Sequence, residues 1–247
     1  MKTEVSGSGF QKKFDFSPPR PRPFLSDLPA RIDTYEEGVA RFFQWRTGLD
    51  YYATIDQIID FVINTRRMKV VDILADTGTF ALRLAGRKAF LGRIYSFDNN
   101  ITLLERTRQR AHYLNIHQAV EFRQFDGARL PLSDGFGEIA VSIFDLHRHP
   151  ARQFLAEVYR ILLPDGHLII GEVLEPKTLR NTLGWAIKKF QLKYFQKNPA
   201  EAQGVYYDLD DMIRLVFEAG FRQVIIQGLK MGRFAEEGIF SLIAATK

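Results

Sequence analysis

The chain has 247 residues, of which 46% are hydrophobic and 26% are charged, and its formal net charge is +5. A chain of this length and composition can bury a full core, and one large domain accounts for it better than two independent domains. It contains no cysteine, which excludes disulfides, thiolate nucleophiles, iron–sulfur clusters and the usual structural zinc sites.

Much of the positive charge lies in the first thirty residues and in one later helical segment, so the net charge says little about the fold. The opening residues, MKTEVSGSGFQKKF, lack the apolar core of a signal peptide. No run approaches the ~20 apolar residues that a membrane-spanning helix requires. These features predict a cytoplasmic protein.

The amino-terminal part divides into an arm and a cap. Residues 1–30 are rich in Ser, Gly and Lys and include the run SPPRPRPF, which favours extended backbone. We interpret them as a flexible arm, although a partner-binding segment is an alternative. Apolar residues three and four apart then predict helices over Tyr35–Trp45 and Tyr51–Ile63. Residues 31–66 would thus cap the site of a single domain that spans 31–247.

The first strand is predicted over Lys69–Leu74, followed by a polar turn over Ala75–Gly78 and a helix that carries Phe80 and Leu84. In an open parallel sheet, the crevice beyond the carboxyl end of the first strand is where a nucleotide-like ligand binds. Asp72 lies inside the apolar strand, where an unbonded carboxylate is costly. We therefore expect Asp72 to organise the amides of the turn.

Four more strands are predicted to alternate with helices, and a hairpin closes the chain. The strands are placed at 92–98, 119–125, 138–144 and 167–173, the helices at Asn100–Leu114, Pro150–Ile161 and 208–220, the turn at Pro164–Gly166, and the hairpin strands at Gln223–Leu229 and Gly238–Ala245. The second and third strands each end in an acid, Asp98 and Asp126. This order predicts an α/β fold with a mainly parallel sheet, one antiparallel strand near its edge and helices on both faces.

A basic amphipathic helix is predicted over Glu175–Asn198, within an insertion that spans 175–205. Three interpretations remain open for it. It could form a lid over the substrate, contact an anionic membrane, or pack as an ordinary half-buried helix.

Several segments together resemble the class I S-adenosylmethionine-dependent methyltransferases, and more narrowly the ubiquinone/menaquinone-biosynthesis methyltransferase group. These are LLERTRQRAHYLNI, VEFRQFDGARLPLSDGFGEIAVSIFDLH, EVYRILLPDGHLIIGEVLEP and the closing EAGF…SLIAATK. The resemblance covers about 70–247. It implies a Rossmann-like, seven-stranded sheet, S-adenosylmethionine as the cofactor, and methyl transfer to a small, aromatic or quinone-like molecule.

The resemblance also assigns residues to the cofactor. It places the turn against the methionine part, the end of the second strand at the ribose, the end of the third strand at the adenine, and the end of the fourth strand beside the sulfonium. The cofactor-binding residues implied are Ala75, Asp76, Gly78, Asp98, Asn99, Asp126, Gly127 and Ile143.

The turn departs from the usual D-x-G-x-G-x-G pattern, because Leu74 and Asp76 replace two glycines and only Gly78 remains. A side chain at either position would press on the space of the methionine part. The Asp76 carboxylate could repel the methionine carboxylate or meet the amino group. The alternative hypothesis is therefore a non-catalytic, methyltransferase-like protein that acts as a binding or assembly module.

Asp145, His147 and His149 follow the fourth strand, at the rim of the expected site. His147 could accept a proton as the methyl group arrives, and the alternative is a solvated loop. The His-x-His pair lacks further ligands at metal-binding spacing, so no metal is expected. Nucleic acid is not favoured as a substrate, because the sequence has neither an Asn-Pro-Pro-Tyr-like motif nor an appended recognition module.

Overall fold

The computed structural model describes residues 34–125, 129–175, 203–229 and 239–247, together with Ala186 and Phe190, which are helical. Several predictions fall outside these residues. They are the arm 1–30, the adenine-binding residues Asp126 and Gly127, nearly all of the basic helix, and the loop between the last two strands.

Seven strands form one sheet in the order β3-β2-β1-β4-β5-β7-β6. The strands are β1 Lys69–Ile73, β2 Arg93–Asp98, β3 Val120–Gln124, β4 Gly137–Ile143, β5 Leu162–Leu174, β6 Arg222–Leu229 and β7 Ile239–Thr246. Strands β1 to β5 pair in parallel, and β7 runs antiparallel to both of its neighbours. The predicted parallel sheet with one antiparallel strand near its edge is confirmed.

Six α-helices lie wholly within the described ranges: α1 Thr34–Thr47, α2 Tyr51–Asn64, α3 Thr79–Ala85, α4 Ile101–Tyr113, α5 Ala151–Ile161 and α6 Leu209–Glu218. Polar side chains cap the amino-terminal ends of three of them. Asp50, Asn100 and Asp208 each accept a hydrogen bond from a first-turn amide of the helix that follows. No helix in the described part of the chain is long and apolar enough to span a bilayer.

The fifth strand begins earlier than predicted. The sequence places a turn at Pro164–Gly166 before the strand, whereas β5 starts at Leu162, directly after α5. The register with β4 jumps from Gly137 opposite Leu162 to Ile139 opposite His167, and Asp165 has a φ of 61°. The predicted turn is thus a bulge within the strand, because backbone pairing resumes on both sides of it.

The sheet separates two hydrophobic clusters. Phe43 of α1, Ile58 of α2 and Leu104 of α4 pack on one face, and Val158 of α5 and Met212 of α6 pack on the other. The strand order reverses between β1 and β4. A ligand crevice is expected at this point, outside the carboxyl ends of the strands, and α1 and α2 lie on the face that could cover it.

Candidate functional site

The turn after β1 keeps a glycine-like backbone without its glycines. Leu74, Asp76 and Gly78 have φ angles of 63°, 47° and 68°, so every second residue of this turn has a left-handed backbone conformation. The amide of Ala75 donates to Phe97 O at 3.0 Å, and that of Gly78 donates to Ala75 O at 2.7 Å. The chain therefore follows a path that glycine adopts freely and that leucine rarely adopts.

Gly78 is the position where a side chain would not fit. A Cβ atom added there would lie 2.2 Å from Thr107 Cγ2 of α4. Thr107 also donates its hydroxyl to Thr77 O at 3.2 Å. The glycine that the sequence retains is thus required by the close approach of α4 to the turn.

Asp98, at the end of β2, holds the turn through its carboxylate. Oδ2 accepts from the amide of Asp76 at 2.7 Å, and Oδ1 accepts from the amide of Asn100 at 2.8 Å. Burial raises the pKa of Asp98. Each carboxylate oxygen has a second acceptor position, so Asp98 can still accept two hydroxyl groups. Asn99 lies beside it and is exposed.

Asp72 does not organise the turn as predicted. Its Oδ2 accepts from the hydroxyl of Ser96 at 3.0 Å, whereas the amides of Ala75, Asp76 and Gly78 bind other acceptors. The prediction was wrong because Asp72 points across to β2 and not toward the turn. Burial raises the pKa of Asp72 to about 7.

A cavity of about 790 Å³ opens between the turn, the end of β4 and helices α1 and α2. Three sets of residues line it. They are Tyr35, Gly38, Val39, Arg41, Phe42 and Trp45 of α1, Tyr51 and Ile55 of α2, and Asp72, Leu74, Ala75, Asp76, Phe80, Ile143, Phe144, Asp145 and Arg148 from the sheet side. Of the predicted cofactor residues, Ala75, Asp76 and Ile143 reach this wall. Gly78 and Asp98 are not among the lining residues. They hold the shape of the turn through the contacts described above.

The side chain of Asp76 is bound by the cap. The Tyr35 hydroxyl, on the first turn of α1, donates to Asp76 Oδ1 at 3.0 Å. Burial, followed by the nearby negative charge of Asp145, raises the pKa of Asp76 to about 6. The hydrogen bond joins the first turn of the cap directly to the turn after β1.

His147 lies in the interior, which contradicts the predicted solvated loop. The residue is 1% exposed, and its Nδ1 lies 3.1 Å from both carboxylate oxygens of Glu172. Its ring stacks on Tyr206 at a centroid distance of 4.7 Å. It is not among the residues that line the cavity, and its role as a base stays a prediction.

Asp145, by contrast, reaches the cavity wall. It accepts from the Arg148 guanidinium at 2.7 Å, and its second oxygen lies 3.0 Å from His149 Nε2. The backbone just before it turns sharply, since Phe144 has a φ of 57°. Of the three residues that the sequence grouped together, Asp145 and His149 thus stay in contact, whereas His147 lies in the interior.

Sequence reasoning missed the residues of α1 that fasten the cap. Glu36 is 1% exposed. It accepts from the Thr79 hydroxyl at 2.9 Å and lies 2.6 Å from Arg110 in an ion pair. At the other end of α1, Arg46 forms a buried ion pair with Glu175. The available signal was a carboxylate near one end of the helix and an arginine near the other, and neither reveals its distant partner.

The chain is similar to a family model and to several curated proteins. A family model described as a methyltransferase domain matches residues 71–170. The demethylmenaquinone methyltransferase of Lactobacillus johnsonii is 27% identical over 179 residues, which cover 66% of this chain and 71% of that protein. The ubiquinone/menaquinone biosynthesis C-methyltransferase UbiE of Pseudoalteromonas translucida is 24% identical, over 66% of this chain and 70% of that one.

Solved structures share the fold. A Thermotoga maritima structure described as a SAM-dependent methyltransferase and possible histamine N-methyltransferase has a TM-score of 0.59 at 23% identity, covering 86% of this chain and 96% of that one. A geranyl diphosphate methyltransferase in complex with SAM has a TM-score of 0.61 at 13% identity, covering 76% and 83%.

Proposed function

We propose that the chain is a class I S-adenosylmethionine-dependent methyltransferase that methylates a small molecule with an aromatic or quinone-like ring. The enzyme class and the cofactor follow from the methyltransferase domain and its relatives. The choice of acceptor is our proposal. It is supported by relatives that are named for quinone methylation and by the walls of the cavity.

One observation carries the proposal: a single cavity joins the turn after β1 to a set of aromatic side chains. Ala75 and Asp76 lie at one part of its wall, and Phe42, Trp45 and Phe144 lie at another. The Phe42 ring is 5.8 Å from that of Trp45 and 6.2 Å from that of Phe144, measured between centroids. Such tilted rings suit a flat apolar ligand.

The turn fits the cofactor although two glycines are replaced. The left-handed φ angles at Leu74 and Asp76 retain the backbone shape that glycines would provide. The Leu74 side chain packs in the cluster on the opposite face from α1 and α2, and the Asp76 carboxylate is bound by Tyr35. Both residues still line the cavity, so the non-catalytic alternative rests on their side chains narrowing the methionine space and not on a loss of the turn's backbone shape.

The residues that would hold S-adenosylmethionine are those of the turn, the end of β2 and the end of β4. Ala75 and Asp76 would bind its methionine part, with Gly78 shaping the turn. Asp98, beside Asn99, would accept the ribose hydroxyls, and Ile143 would lie near the sulfur. When bound, the cofactor supplies a methyl group on a positively charged sulfur. The chain's part is to place the acceptor in line and to exclude water, for which the cap of α1 and α2 is suited.

Calorimetric titration of S-adenosylmethionine tests the cofactor site. We expect micromolar binding by the wild type and at least tenfold weaker binding by Asp98→Asn. The NH2 group of asparagine cannot accept a hydrogen bond, so the side chain can no longer accept a ribose hydroxyl at both of its terminal atoms. Asp60→Asn, which changes a half-exposed aspartate of α2, is the matched control and should bind like the wild type. Equal affinity of Asp98→Asn and the wild type would remove Asp98 from the ribose site.

The acceptor class is tested by methyl transfer to a panel of hydroxynaphthalenes, reduced naphthoquinones and aliphatic amines. We expect mass spectrometry to detect methylated products from the first two classes. Methylation of the amines alone, by an enzyme that binds the cofactor, would overturn the acceptor proposal and leave the enzyme class intact.

A further inference from the structure

Arg41, an exposed residue, places a positive charge on the wall of the cavity. It lies on α1 beside Phe42 and lines the cavity together with Trp45. Among the residues that the structure describes, no carboxylate lies within ion-pair distance of its guanidinium. Its charge is therefore available to a ligand.

The other arginine at the cavity is already committed. Arg148 donates to Asp145 at 2.7 Å, so this pair contributes little net charge to a ligand. Asp76, whose pKa is raised to about 6, lies at the Tyr35 end of α1. The cavity thus has acidic groups near one end of the helix and the Arg41 guanidinium farther along it.

The position of Arg41 along α1 separates it from the cofactor turn. Tyr35 binds Asp76 of the turn, and Arg41 follows it by six residues, which is roughly 9 Å along a helix. Trp45 lies roughly 6 Å farther along. A group held by Arg41 would accordingly belong to the acceptor and not to the methionine part of the cofactor.

The surroundings of Arg41 favour a flat ring that carries an acid. Phe42 and Trp45 are tilted aromatic neighbours on the same helix, and Phe144 faces them from the sheet side. A guanidinium forms paired hydrogen bonds with a carboxylate. A ring against these side chains would bring a carboxylate substituent within reach of Arg41.

We propose that the acceptor is an aromatic molecule with a carboxylate substituent, which Arg41 binds while the ring lies against Phe42, Trp45 and Phe144. This inference rests on the proposed function and narrows its substrate class. It makes Arg41 a specificity-determining residue, because a neutral ring of the same shape would leave the charge unmatched.

The test compares 1-hydroxy-2-naphthoate with 1-naphthol, which lacks the acid. Binding is measured by calorimetry on protein saturated with S-adenosylhomocysteine, so that no methyl group is transferred. We expect the wild type to bind the naphthoate at least tenfold more tightly than the naphthol. Arg41→Gln should abolish this preference, and Arg41→Lys should keep part of it. The preference should also fall between 20 mM and 500 mM salt, since the site is open to solvent.

Arg222→Gln is the matched control, because Arg222 is an exposed arginine on β6 that does not line the cavity. It should keep the full preference of the wild type. Equal affinities of the wild type for the two naphthalenes, or a preference that survives Arg41→Gln, would overturn the inference. If the protein still binds the cofactor, the proposed function stands in that case. Failure of the wild type to bind S-adenosylhomocysteine would instead overturn both.

Discussion

Leu74 and Phe144 are large side chains in a backbone conformation that leucine and phenylalanine rarely adopt. Their φ angles are 63° and 57°, and each such residue costs roughly 1–2 kcal/mol. Both are buried, with 4% and 6% of the residue exposed, so packing holds them in place. Both also line the cavity, where backbone strain commonly accompanies function.

Asp72 links the stability of the protein to pH. The pKa of its buried carboxyl is raised from 3.8 to about 7, so the folded state binds more protons than the unfolded state between these values. The contribution of Asp72 to stability is then greatest at acidic pH and falls as the pH rises through this window, by up to a few kcal/mol. Asp72→Asn can still accept from Ser96 and cannot ionise. We expect its free energy of unfolding to fall less between pH 4 and pH 7, measured by urea denaturation.

Asp165→Asn is the control for this pH dependence. Asp165 is exposed, and asparagine tolerates its left-handed backbone as well as aspartate does. Its unfolding profile should follow that of the wild type. A wild-type slope that persists unchanged in Asp72→Asn would show that other groups cause it.

Helix α1 is fastened at both ends by buried charges. Glu36 pairs with Arg110 and accepts from Thr79, and Arg46 pairs with Glu175 beside the Tyr206 ring. These contacts join α1 to α3, α4 and the end of β5. They explain how a helix with many polar residues covers the cavity without a long apolar stripe.

Glu36→Gln should loosen this helix. The change leaves Arg110 without its carboxylate, and breaking a buried ion pair costs about 3–5 kcal/mol. We expect a loss near the lower end of that range, because Arg110 is 13% exposed, together with faster hydrogen exchange in α1. Glu37→Gln changes the adjacent, exposed carboxylate and should shift stability by less than about 0.5 kcal/mol. Equal effects of the two variants would contradict the role of Glu36.

At the scale of the whole molecule, the sheet brings distant residues to one edge. The reversal of strand order between β1 and β4 opens the crevice, and the first two helices cover it. Since α1, the turn and the end of β4 all contribute to one cavity, a ligand bound there contacts elements from much of the chain. Its binding should therefore stabilise the fold as a unit.

S-adenosylhomocysteine should raise the melting temperature. At a hundred times its Kd, a ligand that binds only the folded state stabilises by about 2.7 kcal/mol, which corresponds to roughly 5–10 °C for a domain of this size. Asp98→Asn, with its tenfold weaker binding, should show about half of this shift at the same concentration. Differential scanning fluorimetry measures both, and an unchanged wild-type melting temperature would contradict the cofactor site.

Much of the fold could be predicted from the sequence, because the spacing of apolar residues and the helix caps are local signals. The strands from β1 to β4, the two closing strands and the helix starts at Asn100 and Asp208 fall where these signals place them. The site was only partly predictable. Its residues meet through contacts between distant segments, such as Tyr35 with Asp76, and no local pattern encodes such a pair.

The sequence by itself determined the α/β class, the order of strands and helices and the resemblance to methyltransferases, since each depends on residues close together in the chain. Only the tertiary structure decided that Leu74 and Asp76 keep a glycine-like backbone, that His147 is buried against Glu172, and that Arg41 lines the cavity. The physical reason is that backbone angles in a tight turn, and the burial of a side chain, are set by packing between segments that meet only when the sheet and its cap assemble.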